Sequence, residues 1–353
     1  MKKYIDLEDM VNVNCSNVLD IIQKNGAVSR KEITDISGLS WGGMTKIVNK
    51  LLENEYIVEQ KLKNTSASGR TPGVLTVNTK KNFVVGLDVN KTGLKAIVTD
   101  LTGRILKSYS APVCASERDD LLKEICDFAA GVFSDFEQGL IVSMGIAMQG
   151  VVDSKRGISV KFPKTDNWEN VPVKEILEDK FGVNVFVEHD PDCLLYSQMN
   201  DGQKENAVLF RMDRSIGMAA AVGGRIIKGK GIFEIAHNIV VPDGAVCSCG
   251  MRGCLEAYIR PCVCEGKVDM EAVDRLMMPL AVALRNMSAI FNADRFILTG
   301  SLAEYHHLFK DKLYNALEDA GCDVKPEFLP LEDYAVKGAA LIAVNKTINS
   351  LLM

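Results

Sequence analysis

The sequence predicts an α/β protein: an N-terminal winged helix-turn-helix over residues 1–78, then a two-lobed α/β region over 79–353. Three observations predict it. The chain has 353 residues, room for two or three domains at ~100–200 residues each. Two helical patterns joined by a glycine turn lie in its first part. Farther along, a series of strand, polar turn, strand, hairpin and strand occurs twice.

Composition sets the frame. Hydrophobic residues are 47% and charged residues 25%, which excludes a mainly disordered, collagenous or disulfide-stapled chain. The net charge of −5 exerts no general pull toward nucleic acid or membrane. Residues 1–78 carry ten Lys/Arg against nine Asp/Glu, so the segment is slightly basic while the rest is acidic. No apolar run approaches the ~20 residues of a membrane span. Met1-Lys2-Lys3, followed by Asp6, Glu8 and Asp9, lacks the apolar core of a secretory signal. These features predict a cytoplasmic protein with no membrane partner, whose ten cysteines are thiols or metal ligands rather than disulfides.

In the head, Val18, Leu19 and Ile22 share one helical face that ends near Gly26. Ser29-Arg30-Lys31-Glu32 is a capping box and opens a short helix with Ile33 and Ile36. Gly38-Leu39 makes the turn. Ser40 caps a third helix, with Met44, Ile47, Val48 and Leu51 on one face. Gly42, Gly43, Thr45, Lys46 and Asn49 fall off that face. Small and polar residues near such a helix's start can reach base edges in a major groove, and lysine can reach phosphates. Tyr56–Lys61 and Val74–Asn78 read as strands around a polar loop containing Arg70, a candidate phosphate or minor-groove contact. The DNA-binding set is therefore Ser40, Gly42, Gly43, Thr45, Lys46, Asn49 and Arg70.

The first repeat runs Phe83–Val89, Leu94–Leu101 and Ile105–Val113, then an amphipathic helix (Leu122, Ile125, Phe128, Ala129, Val132, Phe136) and the strand Leu140–Met148. The second runs Val208–Met212, Met218–Val222 and Arg225–Lys228. Lobe one is expected at about 79–190 and lobe two at about 191–353, the C-terminal helix returning to lobe one. Met270–Phe291 reads as one helix, with Pro279 as a point for a kink. Two facing lobes create a cleft, a favoured place for ligands.

Chemistry concentrates in one loop. His237, Cys247, Cys249 and Cys254 are spaced His-x9-Cys-x-Cys-x4-Cys, with Gly250 and Gly253 bending the chain. Three thiolates and an imidazole suit a closed, structural zinc site rather than a catalytic one. Cys262 and Cys264 form a second Cys-x-Cys without a completing ligand. Asp190, after the strand Val183–Val187 and the residues Glu188 and His189, can accept a hydroxyl hydrogen bond or proton. It can equally be the N-cap of the following helix. Glu234 and Glu256 bracket the cysteine loop, and carboxylates so placed suit the hydroxyls of a sugar.

Taken together these residues resemble the ROK family (repressors, open reading frames and sugar kinases) over nearly the whole chain. The resemblance rests on Cys247-Ser248-Cys249-Gly250-Met251-Arg252-Gly253-Cys254-Leu255-Glu256, on Gly145–Asp153, and on Trp168 with Val171-Pro172. The winged segment with its Gly69-Arg70-Thr71-Pro72 resembles the regulator branch, the xylose and N-acetylglucosamine repressors. The resemblance implies an actin- and hexokinase-like fold, and sugar contacts from Asp190, Glu234, His237 and Glu256, with Glu188 and His189 beside them. It gives His237 both a zinc and a sugar role. In kinase members the residue matching Asp190 is the general base.

The departures bear on function. The family's Asp-x-Gly-Gly-Thr phosphate loop is here Asp88-Val89-Asn90-Lys91-Thr92. Its Gly-Thr-Gly-Ile-Gly is Asp213-Arg214-Ser215-Ile216-Gly217, and a late Gly-Gly is Thr299-Gly300. Glycine lets backbone N–H groups approach phosphate, so these changes argue against an enzyme. His189 replaces the usual Asn, and Phe233-Glu234-Ile235-Ala236-His237 replaces Gly-Glu-x-Gly-His. The expectation is a sugar-responsive regulator that binds double-stranded operator DNA as a homodimer or higher homo-oligomer, with Zn2+ as a structural cofactor. The alternative is an ATP-dependent sugar kinase with an appended DNA-binding domain.

Overall fold

The computed structural model describes residues 7–61, 73–91, 93–163, 165–199, 204–228, 234–264, 267–330 and 332–350. Helices α1 (Leu7–Asn25), α2 (Arg30–Ser37) and α3 (Trp41–Glu53) open the chain. Their ends follow from local chemistry. The Glu32 N–H donates to Ser29 Oγ while the Ser29 N–H donates to the Glu32 carboxylate, so the capping box is complete. Gly38 ends α2 at φ 69°, a conformation a Cβ disfavours. Ser40 caps α3 by accepting from the Gly43 N–H. Met44, Ile47, Val48 and Leu51 are buried with Val18, Leu19, Ile22 and Ile33. An antiparallel sheet of β1 (Val28–Ser29), β3 (Gly73–Val77) and β2 (Ile57–Lys61), in that order, completes the winged head.

The head's core does not close on itself. It continues through Val84 and Leu101 to Ala343, Val344 and Ile348 of the last helix. Gln23 Nε2 donates to Leu101 O at 2.7 Å, and Ser16 Oγ donates to Ile348 O at 2.9 Å.

Two repeats follow. The first comprises β4 (Phe83–Asn90), β5 (Gly93–Thr99), β6 (Ile105–Pro112), α4 (Arg118–Ser134) and β7 (Ile141–Met148). A small sheet of β8 (Val151–Asp153), β9 (Ile158–Lys161) and β10 (Glu169–Val171) interrupts it. It ends with α5 (Val173–Phe181), β11 (Asn184–His189) and α6 (Asp190–Gln198). The second comprises β12 (Ala207–Met212), β13 (Ile216–Val222) and β14 (Arg225–Ile226). After the cysteine loop come α7 (Leu255–Ile259), β15 (Val263–Cys264), β16 (Lys267–Val268), α8 (Met270–Phe291), β17 (Arg295–Thr299), α9 (Lys310–Asp319), β18 (Glu327–Phe328) and α10 (Tyr334–Ser350). The sheets run β11-β7-β4-β5-β6 and β18-β17-β12-β13-β14. In each, the first three strands of the repeat are antiparallel neighbours and the last two add in parallel. The duplication read from the sequence is thus a duplication of topology.

The closing helix of each repeat reaches across to the other. α10 lies on β4 and β7, α6 touches β12 and β13, and the two pack on each other. Glycine permits that approach. A Cβ at Gly338 would come within 1.8 Å of Cys193 O, and one at Gly145 within 2.1 Å of Ala339 O. α8 runs unbroken through the buried Pro279. Among the described residues no helix is long and apolar enough to cross a membrane.

Candidate functional site

A cleft of about 450 Å³ opens where the two lobes face each other, within the size range of small-molecule sites. Lobe one contributes Lys91 after β4, Gln149 to Val151 after β7, and His189 to Pro191 at the start of α6. Lobe two contributes Arg211 and residues 213–217 around the β12–β13 turn, and Glu234, His237, Ser248, Glu256 and Arg260 from the cysteine loop, α7 and the residue after it. Strand ends deliver these side chains because both sheets terminate at the cleft.

Five of the six residues expected at a sugar site line it: His189, Asp190, Glu234, His237 and Glu256. Glu188 does not. Alternation along β11 turns its carboxylate away from the cleft lining, toward Lys228 Nζ and Lys346 Nζ (2.5 Å). Lys228 also meets Asp192 at 2.7 Å. Burial opposes the Glu188 charge, but the two ammonium groups outweigh it and lower its pKa. Asp190 is the first residue of α6, not its cap; His189 occupies that position.

The floor of the cleft holds a residue that sequence reasoning passed over. Arg211 ion-pairs with Asp190, which is buried, and through Nε with Asp213 at 2.8 Å. Asp213 Oδ1 also accepts from the Ser301 N–H at 2.8 Å. Burial works against the Arg211 charge, but Asp190 and Asp213 override it and hold the guanidinium protonated. Burial works against the Asp213 charge too, and Arg211 overrides it downward. Asp88, nearby and buried, is pushed up to about 6 by desolvation and then by the Asp190 charge. A signal for Arg211 existed: it is the lone charge within the apolar run Val208–Met212. At the other end, Glu256 accepts from Ser215 Oγ at 3.0 Å and stands 3.7 Å from Arg260.

The cysteine loop folds back on itself. The N–H groups of Cys247 and Gly253 donate to Met251 O and Ala245 O, each at 2.8 Å, and Val240 N–H donates to Gly253 O at 2.9 Å. Gly253 adopts φ 79°, and a Cβ there would meet Val241 O at 1.7 Å. The result gathers His237, Cys247, Cys249 and Cys254, whose ligand atoms all lie within 4.8 Å of one another. Cys247 Sγ is 3.7 Å from His237 Nδ1, and Cys249 Sγ is 3.7 Å from Cys254 Sγ. A zinc tetrahedron with ~2.3 Å sulfur and ~2.0–2.1 Å nitrogen bonds has edges of roughly 3.4–3.8 Å. The four residues fit that ion. His237 also lines the cleft, so one imidazole belongs to both the His/Cys cluster and the cleft.

On the head, Gly42, Lys46 and Asn49 are exposed on α3. Thr45 Oγ1 donates to Trp41 O at 2.8 Å on the exposed side of α3, and Ser40 is engaged as cap. A Cβ at Gly42 would meet nothing within 4 Å, so internal packing does not require that glycine. Trp41, also unmentioned by the motif reading, is 59% exposed at the start of α3. Arg70 lies outside the described residues.

Comparison with known proteins places these features. The ROK family pattern matches residues 84–260, and a winged helix-turn-helix DNA-binding pattern matches residues 16–58. The xylose repressor of Bacillus spizizenii is 25% identical over 324 residues, covering 83% of this chain and 83% of its own length. Among solved structures, a ROK family transcriptional regulator homologous to the E. coli Mlc protein superposes with a TM-score of 0.83 at 18% identity. That alignment covers 97% of this chain and 98% of the other. The ROK hexokinase of Thermus thermophilus superposes with a TM-score of 0.63 at 21% identity over 75% of this chain and 99% of its own. At these identities both structures establish the fold alone.

Proposed function

The chain belongs to the ROK family, and from that premise we propose that it is a sugar-responsive transcriptional regulator, a repressor of carbohydrate-utilisation genes. One observation carries the reading: a winged head with an exposed polar face on α3 shares its core with a lobe that lines a sugar-sized cleft. In this reading α3 enters the major groove, with Ser40, Gly42, Gly43, Thr45, Lys46 and Asn49 at the DNA and Arg70 on a phosphate or in the minor groove. A homodimer presents two heads to half-sites ~34–36 Å apart or a multiple of that. The name of the Bacillus relative supports a repressor.

His189, Asp190, Glu234, His237 and Glu256 hold the sugar. Zinc is bound by His237, Cys247, Cys249 and Cys254 and is structural, because protein fills all four positions. The chain is not a kinase in this reading. Asp190, placed where a base would act, is tied to Arg211, and the phosphate loops carry Lys91, Asp213 and Arg214 where glycines and Thr would admit a nucleotide.

The signal has a physical route. Glu188 stands two residues before Asp190 and bonds Lys346 of α10, and two residues on, Ile348 O accepts from Ser16 of the head. Sugar shifts the protein only as far as its affinities for two lobe arrangements differ.

Gel-shift or anisotropy titration with DNA from beside its own gene, with and without a panel of sugars, tests the proposal. Specific binding is expected at ~10⁻⁸–10⁻¹¹ M near physiological salt, changed by at least one sugar. Absence of specific binding at moderate salt under every ligand condition rejects it.

A further inference from the structure

Trp41 is the first residue of α3 and, at 59%, the most exposed large apolar side chain of the described head. Among the described residues its ring stacks on no other ring and its indole N–H has no acceptor. The other tryptophan is the opposite case: Trp168 is buried, and its indole N–H donates to Ser159 Oγ at 2.9 Å. A single exposed apolar residue needs no explanation by itself; the place of this one does. Its backbone is held on both sides. Ser40 caps the helix by accepting from the Gly43 N–H, and Trp41 O accepts from Thr45 Oγ1 at 2.8 Å. Trp41, Thr45 and Asn49 follow at i, i+4 and i+8, on one stripe of the helix. Lys46 is exposed beside that stripe, without an ion-pair partner among the described residues. The turn next to the indole is bare. A Cβ at Gly42 would meet nothing within 4 Å, and one at Gly43 would meet Ser40 Oγ at 3.3 Å. Glycine is unfavourable inside a helix, and internal packing does not call for Gly42. What the pair provides is room outside, where another surface can come up against the ring and the helix backbone.

We propose that Trp41 is a specificity-determining residue of the DNA-reading helix, its indole packing on the C5 methyl of a thymine in the major groove. The inference rests on the regulator reading above and adds a base contact to it. Duplex DNA is the occupant because residues 16–58, Trp41 among them, match a winged helix-turn-helix DNA-binding pattern, and because Lys46 and Asn49 beside the ring suit phosphate and base edges. The thymine methyl is an apolar feature of the major groove, and apolar side chains read it by contact. Such a contact carries sequence information, whereas a ring laid on the sugar-phosphate backbone carries none. It also removes the indole from water only when the duplex is bound.

The test uses the full chain and the site it protects in footprinting of DNA from beside its own gene, with a random duplex of equal length as control. Because Trp168 is buried, a change in tryptophan emission on adding the site reports on Trp41, and Trp41→Phe should abolish that change. Trp41→Ala is expected to weaken binding to the site at least tenfold and to the random duplex less than twofold, at an unchanged melting temperature. Trp41→Phe, which keeps an apolar ring, should lose less. Each thymine of the site is then replaced in turn by deoxyuridine, which lacks only the methyl. At one position or more this should weaken the wild type at least threefold and leave the affinity of Trp41→Ala as it was. Trp41→Ala binding as tightly as the wild type overturns the inference and leaves the regulator reading standing. So does an equal loss on site and random duplex, a uracil scan that affects wild type and Trp41→Ala alike, or emission that is unchanged when the site is saturated. If the chain binds no duplex specifically at moderate salt, the regulator reading falls, and this inference with it.

Discussion

The cysteine cluster, through His237, and the charged floor meet at one cleft but are built by different means. The cluster comes from a single stretch, His237 to Cys254, and its geometry is enforced by turns and by hydrogen bonds internal to the loop. The floor comes from two separate elements, a helix start and a strand end. Arg211 at the end of β12 meets Asp190 at the start of α6 only because the two lobes face each other. The contrast separates two kinds of contact: a local turn whose four side chains fit a metal, and an ion pair between two elements whose worth depends on the lobes staying together.

The largest effect should come from breaking the clamp. Cys249→Ser, or stripping with a strong chelator, should release zinc and cost on the order of several kcal/mol, below the ~10–16 kcal/mol of isolated zinc-finger peptides because the rest of the lobe still folds. Elemental analysis and melting curves check this. Wild-type protein free of zinc with an unchanged melting temperature would break the comparison at its first term. Next comes the floor. Arg211→Met leaves a buried carboxylate without its cation and should cost about 2–4 kcal/mol, a little under the ~3–5 kcal/mol of a fully buried pair. Arg211→Met/Asp190→Asn should recover at least half of that in urea unfolding; no recovery would show that the pair is not coupled.

The smallest effect sharpens the floor's electrostatics. Asp88 has a folded pKa of about 6, raised by burial and by the Asp190 charge. A raised carboxyl pKa means that the folded state prefers the proton, so Asp88 is neutral for stability below the ordinary value and costs stability as pH rises from about 4 to about 6. Its Oδ1 is buried and has no hydrogen-bond partner among the described residues. Asp88→Asn should therefore stabilise the protein by about 1 kcal/mol at pH 7.5, and the gain should disappear by pH 4. A gain that persists at pH 4 would assign the effect to packing.

The same contrast explains what the sequence revealed. The capping box at Ser29, the Ser40 cap, the buried face of α3 and the cysteine spacing are all local, and each is present where the pattern put it. The duplication was legible because hydrophobic periodicity records topology. Charge pairing was not. Glu188 reads as part of a sugar site because it adjoins Asp190, yet Lys346, 158 residues on in the chain, claims its carboxylate. Arg211 reads as one odd charge in a strand until the opposite lobe supplies Asp190. Spacing along a chain specifies which residues a turn gathers; it does not specify which side chains two sheets bring face to face.

One feature of the head carries a mechanical consequence. Leu19 and Ile22 share an apolar interior with Val84, Leu101 and Ile348, so among the described residues the head and the lobe are packed as one. The two are built on one core. A shift of the lobe that carries Val84, Leu101 and Ile348 would then carry α1 with it.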